Sequence, residues 1–133
     1  MDVKNDFKWM DFSNPMENKE KAIIKSKFGR CIQRIIENNK IAAKEKKLSG
    51  VDDHHAVTSL RKLAAASGIE FSIIQKISAG KRNPELSTIV AISDGLGISL
   101  SELFLAYQNV SEEELKGNQT IILKSKKLGK KKK

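Results

Sequence analysis

The sequence predicts an all-α protein, a compact bundle of about five helices with flexible N- and C-terminal tails. Apolar residues recur at spacings of three and four along most of the chain, and residues that start or end helices bound each apolar stretch. The lone β-prone run, residues 120–123, is too short to form a sheet by itself. A chain of 133 residues has room for one core.

Positive charge is concentrated at the C-terminus. The chain has 25 Lys and Arg residues against 16 Asp and Glu residues, and residues 116–133 hold eight of the lysines and no acid. Residues 25–108 are moderately cationic, with 13 basic and eight acidic side chains. Such a segment fits a polyanionic partner, and equally an ordinary solvated surface. We expect residues 124–133 to be disordered, either adding non-specific attraction to phosphates or serving only solubility.

A long amphipathic helix is predicted after an irregular N-terminal arm, residues 1–13. Asn14 is a suitable N-cap and Pro15 a suitable first helical residue. Gly29 costs about 1 kcal/mol relative to Ala inside a helix, which leaves open two helices that meet near residue 26. Beyond residue 39 the pattern loosens, and we expect a frayed helix end over residues 40–47 and then a polar loop. The apolar stripe consists of Ile23, Ile24, Phe28, Cys31, Ile32, Ile35 and Ile36.

Two short helices are predicted next. Thr58 or Ser59 caps the first, and Gly68 ends it. The second helix ends at Gly80, before the loop residues Lys81, Arg82, Asn83 and Pro84. Its apolar period is formed by Ile69, Ile73, Ile74 and Ile77.

Two further helices complete the predicted bundle. Ser87 is the expected cap of the first, which closes at residues 95–97. Ser99 and Glu102 have the spacing of a capping box, with Ile98 and Leu103 at the two positions of a hydrophobic staple. This last helix start is the best-defined boundary in the sequence.

Residues 58–104 carry a connected set of helix-packing signals. Two short helices that cross steeply need a small residue where their backbones approach and a glycine where the chain reverses, and Ala64 and Gly68 meet these needs. The segment resembles the helix-turn-helix of the lambda-repressor-like, Xre/Cro type family. The matching residues are Leu63-Ala64, Gly68-Ile69, Ile74, Ile77, Gly80-Lys81-Arg82-Asn83-Pro84, Leu96-Gly97-Ile98 and Leu103-Phe104.

This resemblance implies a sequence-specific transcriptional regulator that binds double-stranded DNA as a homodimer. The motif would span residues 60–79, and the recognition helix, residues 70–79, would enter the major groove. The implied base-reading side chains are Phe71, Ser72, Gln75 and Lys76, although Phe71 has the alternative of being packed rather than exposed. The implied phosphate contacts are Ser59, Arg61, Lys81, Arg82 and Asn83. The candidates for the dimer surface are Leu100, Leu105, Tyr107 and the long N-terminal helix.

The sequence departs from the family pattern at three places. Leu60 stands where a polar residue that touches DNA is common. Ser78 and Ala79 replace a common Glu and a polar neighbour, which can loosen that end of the recognition helix. Residues 41–57 form an insertion, which could hold a partner site, contact the DNA backbone through Lys44, Lys46 and Lys47, or do neither. We therefore expect a domain over residues 14–108 and an extension with its tail over residues 109–133.

Other site types have weak support. Residues 52–55, Asp-Asp-His-His, are contiguous and lack the spacing of a zinc site. Cys31 lies on the apolar stripe and is expected to be a buried small hydrophobe. No nucleophile elbow or phosphate-binding loop is present in the sequence, so we expect neither an enzyme nor a bound cofactor.

The remaining expectations concern location and partners. No run of apolar residues is long enough to span a membrane, and no export signal is recognisable. We expect cytoplasmic residence and no membrane partner. The alternative to a transcriptional regulator is an antitoxin-like or adaptor helical protein whose main partner is another protein.

Overall fold

The computed structural model describes residues 18–115, which contain helices and no β-strand. The predicted all-α fold is confirmed. The arm over residues 1–13, the helix opening at Asn14, the β-prone run and the lysine-rich end lie outside the described residues. Residues 112–115 are also helical. The five longer helices of the described residues are α1, Asn18–Leu48; α2, Leu60–Ser67; α3, Phe71–Ser78; α4, Leu86–Leu96; and α5, Leu100–Gln108.

Helix α1 runs through Gly29 without a break, so the alternative of two helices meeting near residue 26 is wrong. A Cβ atom at Gly29 would lie 2.5 Å from the carbonyl oxygen of Ser78 and 2.6 Å from that of Ile77. Real Cβ atoms do not approach backbone oxygens that closely. Glycine is therefore present here because α1 and the end of α3 pack backbone to backbone, and this packing outweighs its poor helix propensity.

The expected frayed end of α1 is also wrong, because regular helix continues to Leu48. Residues 40–48 are mostly Ala, Lys, Glu and Leu, which have high helix propensity. The chain then turns at Gly50, whose φ is +84°, and returns as a loop. The side-chain amide of Asn39 donates a hydrogen bond of 3.1 Å to the carbonyl oxygen of Val57, which joins the end of this loop to α1.

The predicted boundaries of the later helices hold in all but one case. The Ser59 side chain caps α2 and Gly68 ends that helix in the left-handed conformation. The capping box of Ser99 and Glu102 is present at the start of α5. The exception is Ser87, because the N-cap of α4 is Glu85, two residues earlier, and its side chain makes no capping hydrogen bond.

The core lies where α1 packs on α3 and α5, and where α2 packs on α3 and α4. Cys31, Leu63, Ile92 and Leu103 are fully buried there. Cys31 is therefore the buried residue that its place on the apolar stripe predicted. The other buried apolar residues are Phe28, Ile32, Ile36, Val57, Ile74, Ile77, Val110 and Leu115.

The packed unit extends beyond residue 108, where the sequence analysis ended the domain. Val110 and Leu115 are 2% and 6% exposed and belong to the core. The Glu114 carboxylate accepts hydrogen bonds from the guanidinium groups of Arg30 and Arg34 on α1. The segment after α5 thus closes over one side of α1, a contact too distant in sequence for local patterns to reveal.

No single helix among the described residues has both the length and the apolar composition needed to cross a membrane. Only α4 and α5 taken together have them, and these two helices are bent by 100° at their junction.

Candidate nucleic-acid interface

Helices α2 and α3 are joined by a tight turn that fixes their mutual orientation. Gly68 has a φ of +73°, and its amide donates to the carbonyl oxygen of Ala64. Only glycine adopts this left-handed conformation without strain, so the chain reverses at this residue. Leu63 on α2 and Ile74 and Ile77 on α3 are then buried together in the core. The two helices are thereby held as one rigid unit.

The outward face of α3 is polar and open. Ser72, Gln75 and Lys76 are exposed, whereas Ile74 and Ile77 on the opposite face are buried. Residues three and four apart share one face of a helix, so these three side chains form a single outward row. The row offers hydroxyl, amide and ammonium groups, which suit the edges of base pairs. Nothing within the described residues covers it.

Phe71, the fourth expected base-reading residue, is half-buried. The guanidinium of Arg61 lies over its ring, 4.2 Å from the ring centroid. Cation–π contacts of this kind orient an arginine side chain while its N–H donors stay available. Phe71 thus holds Arg61 at the edge of the α3 face.

The expected phosphate-contacting residues flank α3 on both sides. Arg61, Lys81, Arg82 and Asn83 are exposed, and Ser59 is half-buried. The Ser59 hydroxyl accepts a hydrogen bond of 3.1 Å from the amide of Lys62 and thereby caps α2. After α3, Gly80 turns the chain with a φ of +74°. Lys81, Arg82 and Asn83 therefore project from the loop that follows α3.

Gln33 on α1 is a part of this surface that the sequence analysis missed. Its side-chain amide donates a hydrogen bond of 2.7 Å to the carbonyl oxygen of Ser78 and another of 3.3 Å to the Ser78 hydroxyl. It also borders a surface depression together with Leu60, Ser72 and Gln75. Instead of loosening the end of α3, Ser78 is buried and anchors it to α1. No local pattern marks Gln33, because its partner is 45 residues away.

Leu60 does not present a polar group to this surface. It is half-buried and packs against the core cluster. The structure thus has an apolar packing residue at the position where the resembled family commonly has a polar one. Gln33 is the amide-bearing side chain beside it.

Other reactive groups do not assemble into a second site in residues 18–115. No three His, Cys, Asp or Glu side chains there converge as metal ligands, and His54 approaches only Asp52, at 3.4 Å. Burial raises the pKa of the Cys31 thiol to about 12, although the nearby positive charge of Arg34 lowers it in part. A thiol with such a pKa is a poor nucleophile at neutral pH.

The comparisons with known proteins agree with this geometry. Residues 58–103 match a family model described as helix-turn-helix, of the Xre and lambda-repressor-like type. The matched span begins just before α2 and ends within α5. Comparisons with curated proteins and with solved structures gave no match.

The unit of α2, turn and α3 and the match over residues 58–103 together identify a helix-turn-helix segment of the kind found in DNA-binding regulators. The matched segment is similar to the helix-turn-helix of the Xre, lambda-repressor-like regulators, the family that the sequence resembled. This family is one of DNA-binding regulators and is not typically enzymatic.

Proposed function

We propose that this protein is a sequence-specific transcriptional regulator that binds DNA as a homodimer, with α3 in the major groove. The observation that carries the proposal is the outward row of Ser72, Gln75 and Lys76, exposed on one face of a helix whose other face is buried. A row of polar side chains on a rigid helix is the arrangement that reads base edges in helix-turn-helix proteins.

Each side chain has a proposed role. Gln75 pairs with the N6 and N7 atoms of an adenine, and Lys76 reaches guanine acceptors. Ser72 donates to or accepts from either base of a pair, and the exposed part of the Phe71 ring contacts a thymine methyl.

Residues on either side of α3 are proposed to hold the backbone. Arg61, Lys81 and Arg82 bind phosphates with their charges, and Ser59 and Asn83 donate hydrogen bonds to phosphate oxygens. Because these groups lie both before α3 and after it, they fix how α3 sits in the groove.

We assign the homodimer contact to the exposed apolar side of α5. Phe104 and Leu105 are 41% and 57% exposed and offer apolar surface to a second copy of the chain. The other candidates on α5 are less available, since Leu100 is half-buried and Tyr107 packs against Phe28 with ring centroids 6.4 Å apart. A two-fold dimer would place two α3 helices about 34 Å apart on one face of the duplex.

The experiment selects duplexes from a random library with the full chain and then measures affinity over a range of salt concentrations. We expect log affinity to fall linearly with log salt, and the selected duplex to bind about 10³-fold or more tightly than random duplex. Gln75→Ala and Lys76→Ala should each relax preference at particular base pairs by about 1–3 kcal/mol. Arg82→Ala should weaken binding to all duplexes alike.

The matched control is Lys21→Ala, which removes one exposed charge from α1 on a turn far from α3. It should leave base preference unchanged. Equal losses on every duplex from the Gln75, Lys76 and Arg82 variants would contradict the base-reading assignment. For the dimer, Leu105→Asp should shift the sedimentation equilibrium towards monomer, and Gln108→Glu, at an exposed position of the same helix, should not.

A further inference from the structure

Helix α1 continues beyond the bundle as an ordered extension. Between Asn39 and Leu48 the rise of a regular helix carries the chain about 14 Å. Side-chain contacts join the returning loop to this extension at two points. One is the hydrogen bond from Asn39 to Val57, and the other is the ion pair between the Lys46 ammonium and the Asp53 carboxylate, at 3.1 Å. The inserted residues thus form a supported helical projection.

One side of this projection is a row of lysines. Lys40, Lys44 and Lys47 are exposed and follow one another at spacings of four and three, so they share a helix face. Lys46 belongs to the opposite side, where it meets Asp53. We call Lys40, Lys44 and Lys47 the lysine row.

The lysine row continues the face of α1 that borders the nucleic-acid interface. Counting back by three and four from Lys40 leads to Glu37 and then to Gln33. Gln33 lines the depression that also contains Ser72 and Gln75 of α3. Glu37 is the one acid on this face, and its carboxylate lies 4.0 Å from the guanidinium of Arg30. From Gln33 to Lys47 this face of α1 extends about 21 Å, of which the lysine row covers about 10 Å.

We propose that the lysine row binds phosphates of the same duplex that α3 reads, at backbone positions outside the groove that α3 occupies. This inference rests on the proposed function, because it takes α3 as the element that meets the DNA. Duplex DNA fits as the partner because its charge is opposite to that of the row, and because the row lies on the same helix face as Gln33, which borders α3. Duplex DNA carries one phosphate per strand every 3.4 Å or so along its axis, and three ammonium groups on one side of a rod are complementary to that backbone.

The row contributes affinity and not sequence preference. An ammonium group binds phosphate as a point charge and carries no information about bases. The exposed Ile41 and Leu48 lie beside the row and would be the contacts for a protein partner instead. The all-basic character of the row and its alignment with Gln33 favour the DNA backbone.

The test compares two triple variants of the full chain. Lys40→Ala with Lys44→Ala and Lys47→Ala removes the row, and Lys19→Ala with Lys21→Ala and Lys27→Ala removes three charges from the other end of α1. The probes are a duplex selected by the unaltered chain, with flanks of one helical turn on each side, and a scrambled duplex of equal length. Circular dichroism verifies that both variants keep their helix content.

We expect loss of the row to lower the slope of log affinity against log salt by about 2–3 on both duplexes, since each phosphate contact contributes roughly 0.9. The base preference should stay unchanged. In the control variant the slope of log affinity against log salt should fall by less than a third of that amount. Trimming the flanks from the selected duplex should lower the slope of the unaltered chain but not that of the row variant.

The two proposals fail in different ways. If the unaltered chain selects no duplex, or if Gln75→Ala leaves every base preference intact, the proposed function is wrong. If selection succeeds and the row variant has the same salt slope as the control variant, the lysine-row proposal is overturned while the proposed function stands.

Discussion

The side chain of Gln33 on α1 holds the C-terminal end of α3 through the carbonyl oxygen of Ser78, at 2.7 Å. The same amide reaches the Ser78 hydroxyl at 3.3 Å. The helix proposed to read DNA is thus fixed at one end by a polar contact with the longest helix of the bundle. Its orientation depends on α1 as well as on its partner α2.

We expect Gln33→Ala to lower the free energy of unfolding by about 1–2 kcal/mol, because a buried hydroxyl and a carbonyl lose their donor. Urea denaturation measures this change. Gln108→Ala, at an exposed position of α5, is the control and should change stability by less than about 0.5 kcal/mol. Equal stability of the two variants would mean that the Gln33 contact contributes nothing in solution.

We expect Gly29→Ala to destabilise the protein, although alanine is the better helix former by about 1 kcal/mol. The added methyl would lie 2.5 Å from the carbonyl oxygen of Ser78, so α1 and α3 would have to separate. Overpacking of this kind costs about 1–3 kcal/mol. Thermal unfolding of Gly29→Ala shows whether the substitution lowers or raises stability. Asn38→Ala, at an exposed position of α1, is the control. A rise in melting temperature for both variants would contradict the close approach.

We expect Glu114→Gln to lower stability at neutral pH by about 1 kcal/mol, since the carboxylate pairs with Arg30 and Arg34 at a partly exposed site. Burial by itself raises the pKa of Glu114, but hydrogen bonds from Arg34 and Arg30 outweigh it and hold the pKa below the ordinary value of 4.5. The carboxyl group therefore stabilises the folded state above its ordinary pKa and ceases to do so as pH falls through the lowered value.

Urea unfolding at a series of pH values checks this dependence. The difference between the unaltered chain and Glu114→Gln should be constant near neutral pH and should shrink towards zero in acid. The exposed neighbour Glu113 is the control, and Glu113→Gln should show little difference at any pH. A Glu114 effect that persists unchanged in strong acid would show that the ion pairs are not its source.

We expect Cys31 to resist thiol reagents until the protein unfolds. The side chain is fully buried, and burial raises its pKa to about 12 even though Arg34 lowers it in part. Little thiolate is present at pH 8, and reagent cannot reach it. Labelling with a chromogenic disulfide across a urea series should follow the unfolding transition seen by circular dichroism. Rapid labelling in the absence of urea would refute this burial.

We expect Ser59→Ala to lower the free energy of unfolding by about 1 kcal/mol, because the Ser59 hydroxyl caps α2 by accepting a hydrogen bond from the amide of Lys62. Ser87→Ala is a matched control, since Ser87 looked like a helix cap in the sequence but lies inside the first turn of α4. Its substitution should be neutral within about 0.5 kcal/mol. Chemical denaturation measures the stability of both variants. A larger loss for Ser87→Ala than for Ser59→Ala would contradict the assignment of Ser59 as the helix cap.

Local signals predicted much of the fold. The glycine that ends α2, the cap at Ser59 and the capping box of Ser99 with Glu102 each act within a few residues, so their spacing alone identifies them. The helical period likewise predicted the burial of Ile74 and Ile77 on α3, although not that of Ser78. The exposure of Ser72, Gln75 and Lys76 follows from that period, whereas their roles on DNA remain proposals.

Contacts between distant residues could not be predicted in this way. The packing of Val110 and Leu115 into the core moved the end of the folded unit beyond residue 108. Gly29 looked like a break in the helix because only its propensity is visible in the sequence. Lys46 looked equivalent to Lys44 until the returning loop brought Asp53 to it.

Helix type, helix limits and the turn between α2 and α3 are properties of short stretches of chain, because caps, left-handed glycines and apolar periods act over one or two turns. The tertiary structure decided which helix faces meet. It turned Gly29 into a point of backbone contact, made Gln33 the anchor of α3, and brought Gln33 beside Ser72 and Gln75 of α3. These outcomes depend on the close packing of elements far apart in sequence, which no local pattern records.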